Sequence, residues 1–344
     1  MSNAATQTPE LLAFSKDIRP LDLAPLWERT VSQKPGSPCV PHHWKWSDLE
    51  PLLLKSCELI DKKNAERRVL MLENPTMRGQ SFIANTLFTG LQIIMPGEVA
   101  SAHRHTPNAL RFVVKGQGAY TAVAGERAMM SPGDFIVTPN WTWHDHGNIG
   151  HEPVVWMDGL DSAFTRFFGA TFREDYPAET QPLYSPEGSS AAAFGASLLP
   201  VDTKPGDGPS PLLRYPFERT REALAHLAKN QPLHPAHGAL LRYANPVNGK
   251  YPFPTMAAFM RLLPKGFSGK PWRSTENMVF NVAEGSGRVT IAGERFDFQP
   301  HDIFVAPSWC ETSFEAREEC VVFSYSDRPA QEATGFLREE LVMS

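Results

Sequence analysis

The sequence predicts a mainly β protein made of two similar double-sheet barrels of the jelly-roll type, preceded by a helical arm. The chain has 344 residues, 42% of them hydrophobic, which suits two domains that each bury a core. Two regions consist of short apolar runs separated by Gly, Pro, Asn and Asp, the pattern of many short strands. These two regions also match each other at a nearly constant offset, which indicates a duplicated barrel.

Residues 8–62 carry helical patterns, and we assign residues 1–68 to an N-terminal helical arm. The clearest helix begins at Ser47-Asp48-Leu49-Glu50, a capping-box spacing in which the side chains of Ser47 and Glu50 satisfy free amides of the first turn. We expect the arm to pack against a barrel or a neighbouring subunit.

The first barrel is predicted at 69–165, with strands at 91–95, 110–114, 119–123, 135–138 and 154–157. Residues 166–250 are rich in Pro, Gly and Ser and form the predicted inter-domain connection, with one helix at 218–229. The second barrel is predicted at 251–330, with strands at 257–263, 278–282, 287–291, 302–306 and 320–325. Residues 331–344 form a C-terminal tail.

Charge and hydropathy indicate a small molecule as the binding partner. The net charge is -5, with 33 basic and 38 acidic residues, and no basic run predicts nucleic-acid or anionic-membrane binding. The sequence shows neither a signal-peptide pattern nor a run of eighteen apolar residues, which predicts a soluble cytoplasmic protein. Its four cysteines lack CxxC spacing, so we expect buried free thiols rather than disulfides or a thiolate zinc site.

The repeat differs between its two copies at three histidines. Turns and strands correspond throughout: residues 112–118 (FVVKGQG) match 281–287 (NVAEGSG), and 138–141 (TPNW) match 306–309 (APSW). At the same offsets, histidines of the first copy face other residue types in the second. The three pairs are His103 with Trp272, His105 with Ser274, and His144 with Thr312. One barrel therefore has a specialised group of imidazoles that the other lacks.

His103, His105 and His144 are predicted to bind one metal ion. A His-x-His pair on a strand points both side chains to one face, and the chain returns to it at His144 after a Pro-Gly-Asp turn and a strand. Imidazole suits iron, copper, nickel and zinc, and three ligands leave open positions for substrate and oxidant. The alternative of hydrogen-bonded structural histidines explains one such residue better than three, because unpaired buried imidazoles are costly.

The residues around these histidines resemble the cupin superfamily. The stretches are 97–114 (GEVASAHRHTPNALRFVV) and 139–148 (PNWTWHDHGN). More narrowly, together with 67–75 (RRVLMLENP) and 242–246 (RYANP), they resemble the gentisate 1,2-dioxygenase group with its salicylate and 1-hydroxy-2-naphthoate dioxygenase relatives. Many cupins carry a Glu shortly after His-x-His, but 107–109 (PNA) has no carboxylate, which is typical of this three-histidine group.

The resemblance implies a bicupin fold, one Fe(II) per chain, O2 as co-substrate and a homotetramer. It implies cleavage of the gentisate ring between the carboxyl-bearing carbon and the adjacent hydroxyl-bearing carbon, giving maleylpyruvate. Salicylate, substituted salicylates and 1-hydroxy-2-naphthoate remain open as substrates, because one or two pocket residues decide a substituent. A non-catalytic bicupin that binds small aromatic acids is an alternative of another class, and a zinc- or manganese-dependent cupin isomerase is a further one.

Five residues are predicted to bind the substrate. If its strand is unbroken, Arg111 shares the inward parity of His103 and His105 and grips the substrate carboxylate; a structural ion pair is the alternative. Arg67 resembles a second substrate-gripping arginine, with Arg68 left open. Three further residues are candidates for the cavity wall, although each also fits ordinary core packing: Gln92 as a hydrogen-bond donor, Gly90 as room for the ring, and Phe88 as an aromatic wall.

Two further residues are assigned catalytic roles. His146 follows His144 by two residues and is a candidate to support the metal site or to shuttle a proton, and Asp158 is a candidate to orient one of the imidazoles. For both, a structural hydrogen bond is the alternative. The remaining histidines have no informative spacing and are interpreted as structural or surface residues: His42, His43, His151, His226, His234, His237 and His301.

Overall fold

The computed structural model describes residues 8–29, 31–196, 198–204 and 206–342. The chain divides after Gly36 into two compact units. The first contains one helix and two short 3-10 turns, Arg19–Leu21 and Leu26–Glu28. The seven α-helices are α1 Pro9–Ile18, α2 Trp46–Leu59, α3 Lys62–Ala65, α4 Ser162–Phe167, α5 Ser189–Phe194, α6 Phe217–Asn230 and α7 Arg328–Thr334 within the described residues.

Twenty-two short strands lie in the second unit, within the part of the chain described. Those up to the connection are β1 His42–Trp44, β2 Arg68–Met71, β3 Phe88–Ile94, β4 Val99–His105, β5 Ala109–Lys115, β6 Ala119–Val123, β7 Glu126–Met129, β8 Phe135–Thr138, β9 His144–Asn148 and β10 Val154–Leu160. The others are β11 Arg173–Asp175, β12 Arg214–Tyr215, β13 Ala239–Arg242, β14 Ala257–Leu263, β15 Trp272–Ser274, β16 Met278–Glu284, β17 Gly287–Ile291, β18 Glu294–Phe298, β19 Ile303–Ala306, β20 Thr312–Ala316, β21 Cys320–Ser326 and β22 Glu339–Leu341.

Each barrel consists of one six-stranded and one five-stranded antiparallel sheet. In the first barrel the orders are β12-β8-β5-β10-β3-β2 and β11-β4-β9-β6-β7. In the second they are β1-β19-β16-β21-β14-β13 and β18-β17-β20-β15-β22. The predicted mainly β double-barrel fold is confirmed, and the helix at Phe217–Asn230 contains the predicted 218–229. Segments from outside the predicted barrel ranges add edge strands to both barrels: β1, β11, β12, β13 and β22.

The two copies share strand register. His103 on β4 pairs with His144 on β9, and Trp272 on β15 pairs with Thr312 on β20. Equivalent turns also share an unusual backbone: Trp141 and Trp309, matched in the sequence repeat, both have positive φ, at 55° and 65°. The residues opposite the histidines therefore occupy the same places in the second barrel.

The six-stranded sheets of the two barrels contribute to one apolar core. Phe112 of β5 and Phe323 of β21 are fully buried in the same cluster, with ring centroids 4.3 Å apart in a stacked arrangement. Strand β10 shows the alternation that this requires. Val155 and Met157 enter the shared core, while Trp156 faces the interior of the first barrel with Val154. The next inward position on β10 is Asp158, which brings a charge into the barrel interior.

The capping box predicted at Ser47 is wrong. Helix α2 begins at Trp46, and its N-cap Lys45 makes no side-chain cap. Instead, the Trp46 amide donates to Oδ1 of Asp302, 2.7 Å away, and His43 Nε2 lies 2.9 Å from the other carboxylate oxygen. A carboxylate beside the helix N-terminus from the second barrel thus replaces the local cap.

The cysteines are free thiols, as predicted, although Cys57 and Cys310 are only half-buried. Among the helices described, none has both the length and the apolar character needed to cross a bilayer.

Candidate metal centre and substrate cavity

Three imidazoles meet inside the first barrel. His103 and His105 point to one face of β4, and His144 begins the neighbouring strand β9. One ring nitrogen from each lies within 4.8 Å of those of the other two. Ring centroids are 4.1 Å apart for His103 and His144 and 4.8 Å for His105 and His144. The predicted three-histidine cluster is therefore present.

Backbone carbonyls fix the orientation of two of these rings. Nδ1 of His105 lies 2.8 Å from the carbonyl oxygen of Pro107, and Nδ1 of His144 lies 2.8 Å from that of Thr142. A carbonyl only accepts, so each Nδ1 carries the proton and each Nε2 presents its lone pair. Nε2 of His144 is buried without a hydrogen-bond partner among the described residues. Such an orphaned nitrogen suits a metal ligand.

Burial keeps the histidines neutral. Desolvation lowers the pKa of His105 to about 4, and it lowers the pKa of His103 and of His144 still further below their ordinary value. Nearby arginines act in the same direction. Neutral imidazole is the form that binds a metal ion, so this lowering of the pKa favours metal binding at neutral pH.

Arg111 faces the same cavity, but by a different route from the one predicted. The strand is not unbroken: β4 ends at His105 and β5 begins at Ala109, in the other sheet. The guanidinium is buried, with Nη1 2.5 Å from Thr138 Oγ1, Nη2 3.0 Å from His146 Nε2 and Nε 3.1 Å from Asp158 Oδ1. The Nε contact with Asp158 is an ion pair without hydrogen-bond geometry. Nη1 and Nη2 carry two N–H groups each, and each keeps one of them for a ligand.

His146 and Asp158 both act on Arg111. Nε2 of His146 accepts from Arg111, so its Nδ1 carries the proton and donates to Thr121 Oγ1 at 3.1 Å. Asp158 contacts Arg111, and its Oδ2 accepts from the Trp156 indole N–H at 3.1 Å. We had expected Asp158 to orient an imidazole, but none of the described contacts of its carboxylate is with a histidine. Burial raises the pKa of Asp158, and the neighbouring guanidinium opposes that rise.

Arg67, rather than Arg68, reaches the cavity. Its Nη2 donates to the Ser101 carbonyl at 2.8 Å and lies 2.6 Å from His103 Nδ1. Arg68 points elsewhere and forms a bidentate pair with Glu98 at 2.6 and 2.7 Å. Burial lowers the pKa of Arg67 to about 10, so this side chain stays charged at neutral pH. Nδ1 of His103 accepts a hydrogen bond from Arg67, so Nε2 carries the proton of the neutral ring. His103 therefore presents a free lone pair to a metal ion only after Arg67 withdraws from Nδ1.

Gln92 and Phe88, two residues of β3 that we named as candidates for the cavity wall, do line the cavity. Gly90 lies between them, and a Cβ at Gly90 would stand 2.6 Å from Val69 Cγ1 and 3.2 Å from the Phe88 ring. Glycine at this position therefore lets Val69 and Phe88 pack together in the wall. That packing shapes the space for a ring, and the direct roles of the three residues stay predictions.

The cavity has a volume of about 220 Å³ and a cationic lining. The lining residues described include three arginines, Arg67, Arg111 and Arg173, and one carboxylate, that of Asp158. The sequence analysis missed Arg173, which the irregular connection brings in on the edge strand β11 beside β4. It also missed Thr138, the partner of Arg111. The one feature of the sequence that could have indicated Thr138 is its place as a polar residue at the end of an apolar strand (FIVT). No comparable feature of the sequence indicated Arg173.

The residues fit a bound metal ion. The donors are three neutral imidazoles on one side of a cavity that stays open opposite them; His105 and His144 are oriented by carbonyls, and Nε2 of His144 has no hydrogen-bond partner among the described residues. Such a site leaves coordination positions for a chelating ligand. The N–H groups of Arg67 and Arg111 in the wall favour an anionic ligand, whereas Arg173 is already paired with Glu66 and Asp175.

Comparison with known proteins agrees with this site. The cupin domain family matches residues 90–160, which contain all three histidines. Gentisate 1,2-dioxygenase 1 of Aquipseudomonas alcaligenes is 46% identical over 335 residues, covering 96% of each chain. The 1-hydroxy-2-naphthoate 1,2-dioxygenase of Nocardioides sp. strain KP7 is 33% identical, covering 98% of this chain and 89% of the relative.

A solved structure resembles the whole fold. Salicylate 1,2-dioxygenase from Pseudoaminobacter salicylatoxidans, in an adduct with gentisate, superposes with a TM-score of 0.93 at 35% identity, covering 99% of this chain and 97% of the other. Both similarities extend over two barrels and the arm rather than over the cupin motif alone. The chain therefore belongs to the gentisate 1,2-dioxygenase family, a group of cupin-fold, ring-cleaving dioxygenases.

Proposed function

We propose that this protein is an Fe(II)-dependent gentisate 1,2-dioxygenase that opens the ring to maleylpyruvate. The observation that carries the proposal is the three neutral histidines on the wall of a cavity lined by arginines. Gentisate is favoured over the other acids because the gentisate 1,2-dioxygenase of A. alcaligenes is 46% identical, against 33% for the naphthoate enzyme and 31% for a 5-aminosalicylate enzyme. The predicted homotetramer and cytoplasmic location stay predictions.

His103, His105 and His144 would hold the iron, and iron bound there would supply the electron donation that activates O2. Because these ligands carry no charge, a substrate that binds through a carboxylate and an ionised hydroxyl balances the charge of the ion. The two spare N–H groups of Arg111 are placed to grip the carboxylate, with Arg67 as a second donor. His146, Asp158 and Thr138 hold the Arg111 guanidinium in position.

The cavity also orients the ring of the substrate and so determines which of its bonds lies nearest the histidines. Phe88, Val69 and Leu160 supply apolar contacts for the ring, while the arginines hold the charged edge. The carboxyl-bearing carbon and the neighbouring hydroxyl-bearing carbon then face the histidines, and cleavage occurs between them. Both atoms of O2 enter the product, so no external reductant is needed.

The experiment is O2 uptake by anaerobically reconstituted Fe(II) protein with gentisate, salicylate and 1-hydroxy-2-naphthoate. We expect the highest kcat/KM with gentisate, and 18O2 should place two labelled atoms in the ring-opened product. His103→Ala should abolish iron retention, measured by mass spectrometry, together with turnover. His151→Ala, at an exposed loop histidine, is the matched control. Higher kcat/KM with salicylate would overturn the substrate, and no O2 uptake with any 2-hydroxy aromatic acid would overturn the proposed activity.

A further inference from the structure

The second barrel contains a cavity where the first has its substrate cavity. Arg261 on β14 pairs with Leu240 on β13, as Gln92 on β3 pairs with Val69 on β2. Arg261 and Leu240 line a cavity of about 240 Å³, similar in volume to the 220 Å³ of the first barrel. The duplicated fold therefore keeps a cavity of substrate size in the barrel that lost the histidines.

Arg261 is a buried cation without a hydrogen-bond partner. Its side chain is 1% exposed, and Nε and Nη1 have no partner among the described residues. The rings of Trp272, Phe280 and Phe314 surround it, with centroids 4.9–5.6 Å from its central carbon. Aromatic rings attract the charge but offer no oxygen acceptor. Burial lowers the pKa of Arg261 to about 9, so the group is still charged at neutral pH.

The two carboxylates in the cavity wall, Glu276 and Glu339, both pair with Arg328, although the charge of Glu276 also raises the pKa of Arg261. Glu276 binds Arg328, with Oε1 3.1 Å from Nη2, and accepts from the Ser326 hydroxyl at 2.6 Å. A second polar group lining the cavity is also unsatisfied: His237 is half-buried, and its buried Nδ1 has no partner among the residues described. Buried polar groups are nearly always hydrogen-bonded, and an unpaired buried charge is destabilising. Two such groups facing one cavity indicate a missing ligand.

We propose that the second-barrel cavity is a binding site for a small aromatic carboxylate, with Arg261 as the group that binds the carboxylate. The free N–H groups of Arg261 supply donors in the geometry that carboxylates accept. His237 offers a further donor or acceptor, and Trp272, Tyr251 and Phe259 supply flat apolar walls for a ring. With no metal ligands opposite it, this site binds without turnover. Its test measures binding in the second barrel and does not depend on the activity proposed for the first.

The probe is 4-fluorobenzoate, an aromatic carboxylate without the chelating hydroxyl, added to the Fe(II) holoenzyme and followed by 19F NMR and equilibrium dialysis. Arg261→Gln introduces the residue type that the first barrel has at this place. We expect the wild type to bind 4-fluorobenzoate, and we expect its affinity to fall about thirtyfold or more in Arg261→Gln. The affinity should persist in Arg111→Gln. The uncharged 4-fluorobenzamide should not bind in the second-barrel cavity. Arg288→Gln, at a half-buried arginine of the same barrel that pairs with Asp297, should bind like the wild type.

Equal fluorobenzoate affinity in the wild type and Arg261→Gln overturns the proposal, as does binding that only Arg111→Gln removes. Loss of an unpartnered buried charge should leave the melting temperature of ligand-free Arg261→Gln equal or higher. If that variant does not fold, Arg261→Lys is measured instead; it keeps the charge but not the planar fork, and undiminished affinity there overturns the proposal. A crystal soaked with 4-fluorobenzoate should show it against Arg261, and an empty second cavity at saturation contradicts the site.

Discussion

Asp158→Asn tests whether the carboxylate of Asp158 positions Arg111 for substrate binding. The pair is 3.1 Å apart, and the two side chains are only 4% and 9% exposed. Trp156 donates to Oδ2 of Asp158, so an asparagine keeps its oxygen there and turns its amide N–H groups towards the guanidinium. The substitution preserves the shape of the side chain and removes its negative charge. It also places the N–H donors of the asparagine amide against the N–H donors of the Arg111 guanidinium. Removing one partner of a buried ion pair costs about 3–5 kcal/mol in unfolding free energy, so the melting temperature should fall by several degrees.

The functional effect follows from the two spare N–H groups of Arg111. If the guanidinium shifts by about 1 Å when it loses Asp158, the catalytic rate constant over KM for gentisate should fall about 100-fold. Part of the loss should be a higher KM, because the carboxylate grip already exists in the bound ground state. The assays are steady-state O2 uptake and thermal unfolding of the Fe(II) protein.

Asp161→Asn is the matched control for this prediction. Asp161 directly follows the same strand and is buried, but its carboxylate binds Asn108 and Thr255 rather than an arginine. We expect Asp161→Asn to lower stability while leaving the KM for gentisate within about threefold of the wild type. A KM unchanged in Asp158→Asn, or equally raised in Asp161→Asn, would refute the positioning role of Asp158.

Three further predictions concern single groups. Arg67→Ala should raise the KM for gentisate about 10- to 100-fold, since a charge-assisted hydrogen bond is worth about 1.5–3 kcal/mol, and isothermal titration with the metal alone should show that iron still binds. His146→Ala removes an acceptor from Arg111 and should lower kcat/KM by a similar factor, with iron content unchanged; loss of iron would instead make His146 part of the metal site. Desolvation lowers the pKa of the half-buried His237 to about 2, so the unfolded chain binds a proton there below about pH 6.5 while the folded chain does not. Between pH 7 and pH 5, the unfolding free energy of the wild type should therefore fall about 2 kcal/mol more than that of His237→Phe in urea titrations; parallel curves would contradict this.

The sequence predicted the metal cluster well because its information is local. His103 and His105 share a strand face by simple alternation, and the repeat supplied an internal control in Trp272, Ser274 and Thr312. Arg111 was placed correctly although the reason was incomplete. Its strand lies in the opposite sheet, and it faces the histidines because both sheets turn their inner faces to the barrel interior.

Other features depend on contacts between distant parts of the chain, which local patterns do not encode. The residue that binds the first amide of helix α2 is Asp302, 256 positions away, so the apparent capping box at Ser47 had no structural counterpart. Arg173 enters the cavity on a three-residue edge strand within an irregular segment. The buried Arg261 looked like one polar residue in an apolar strand, and only the geometry revealed its missing partners.

The core shared by the two barrels has an evolutionary consequence. Gene duplication leaves one copy free to change its chemistry, and the second copy has other residue types at the three histidine positions. It was not free to lose its sheet, because Phe323 stacks on Phe112 and the Tyr325 hydroxyl donates to the carbonyl of Phe88, in the wall of the substrate cavity, at 2.7 Å. A truncated descendant carrying one barrel would expose that surface to water and lose this support. Selection on the barrel with the three histidines therefore also preserves the sheet of the barrel that lacks them.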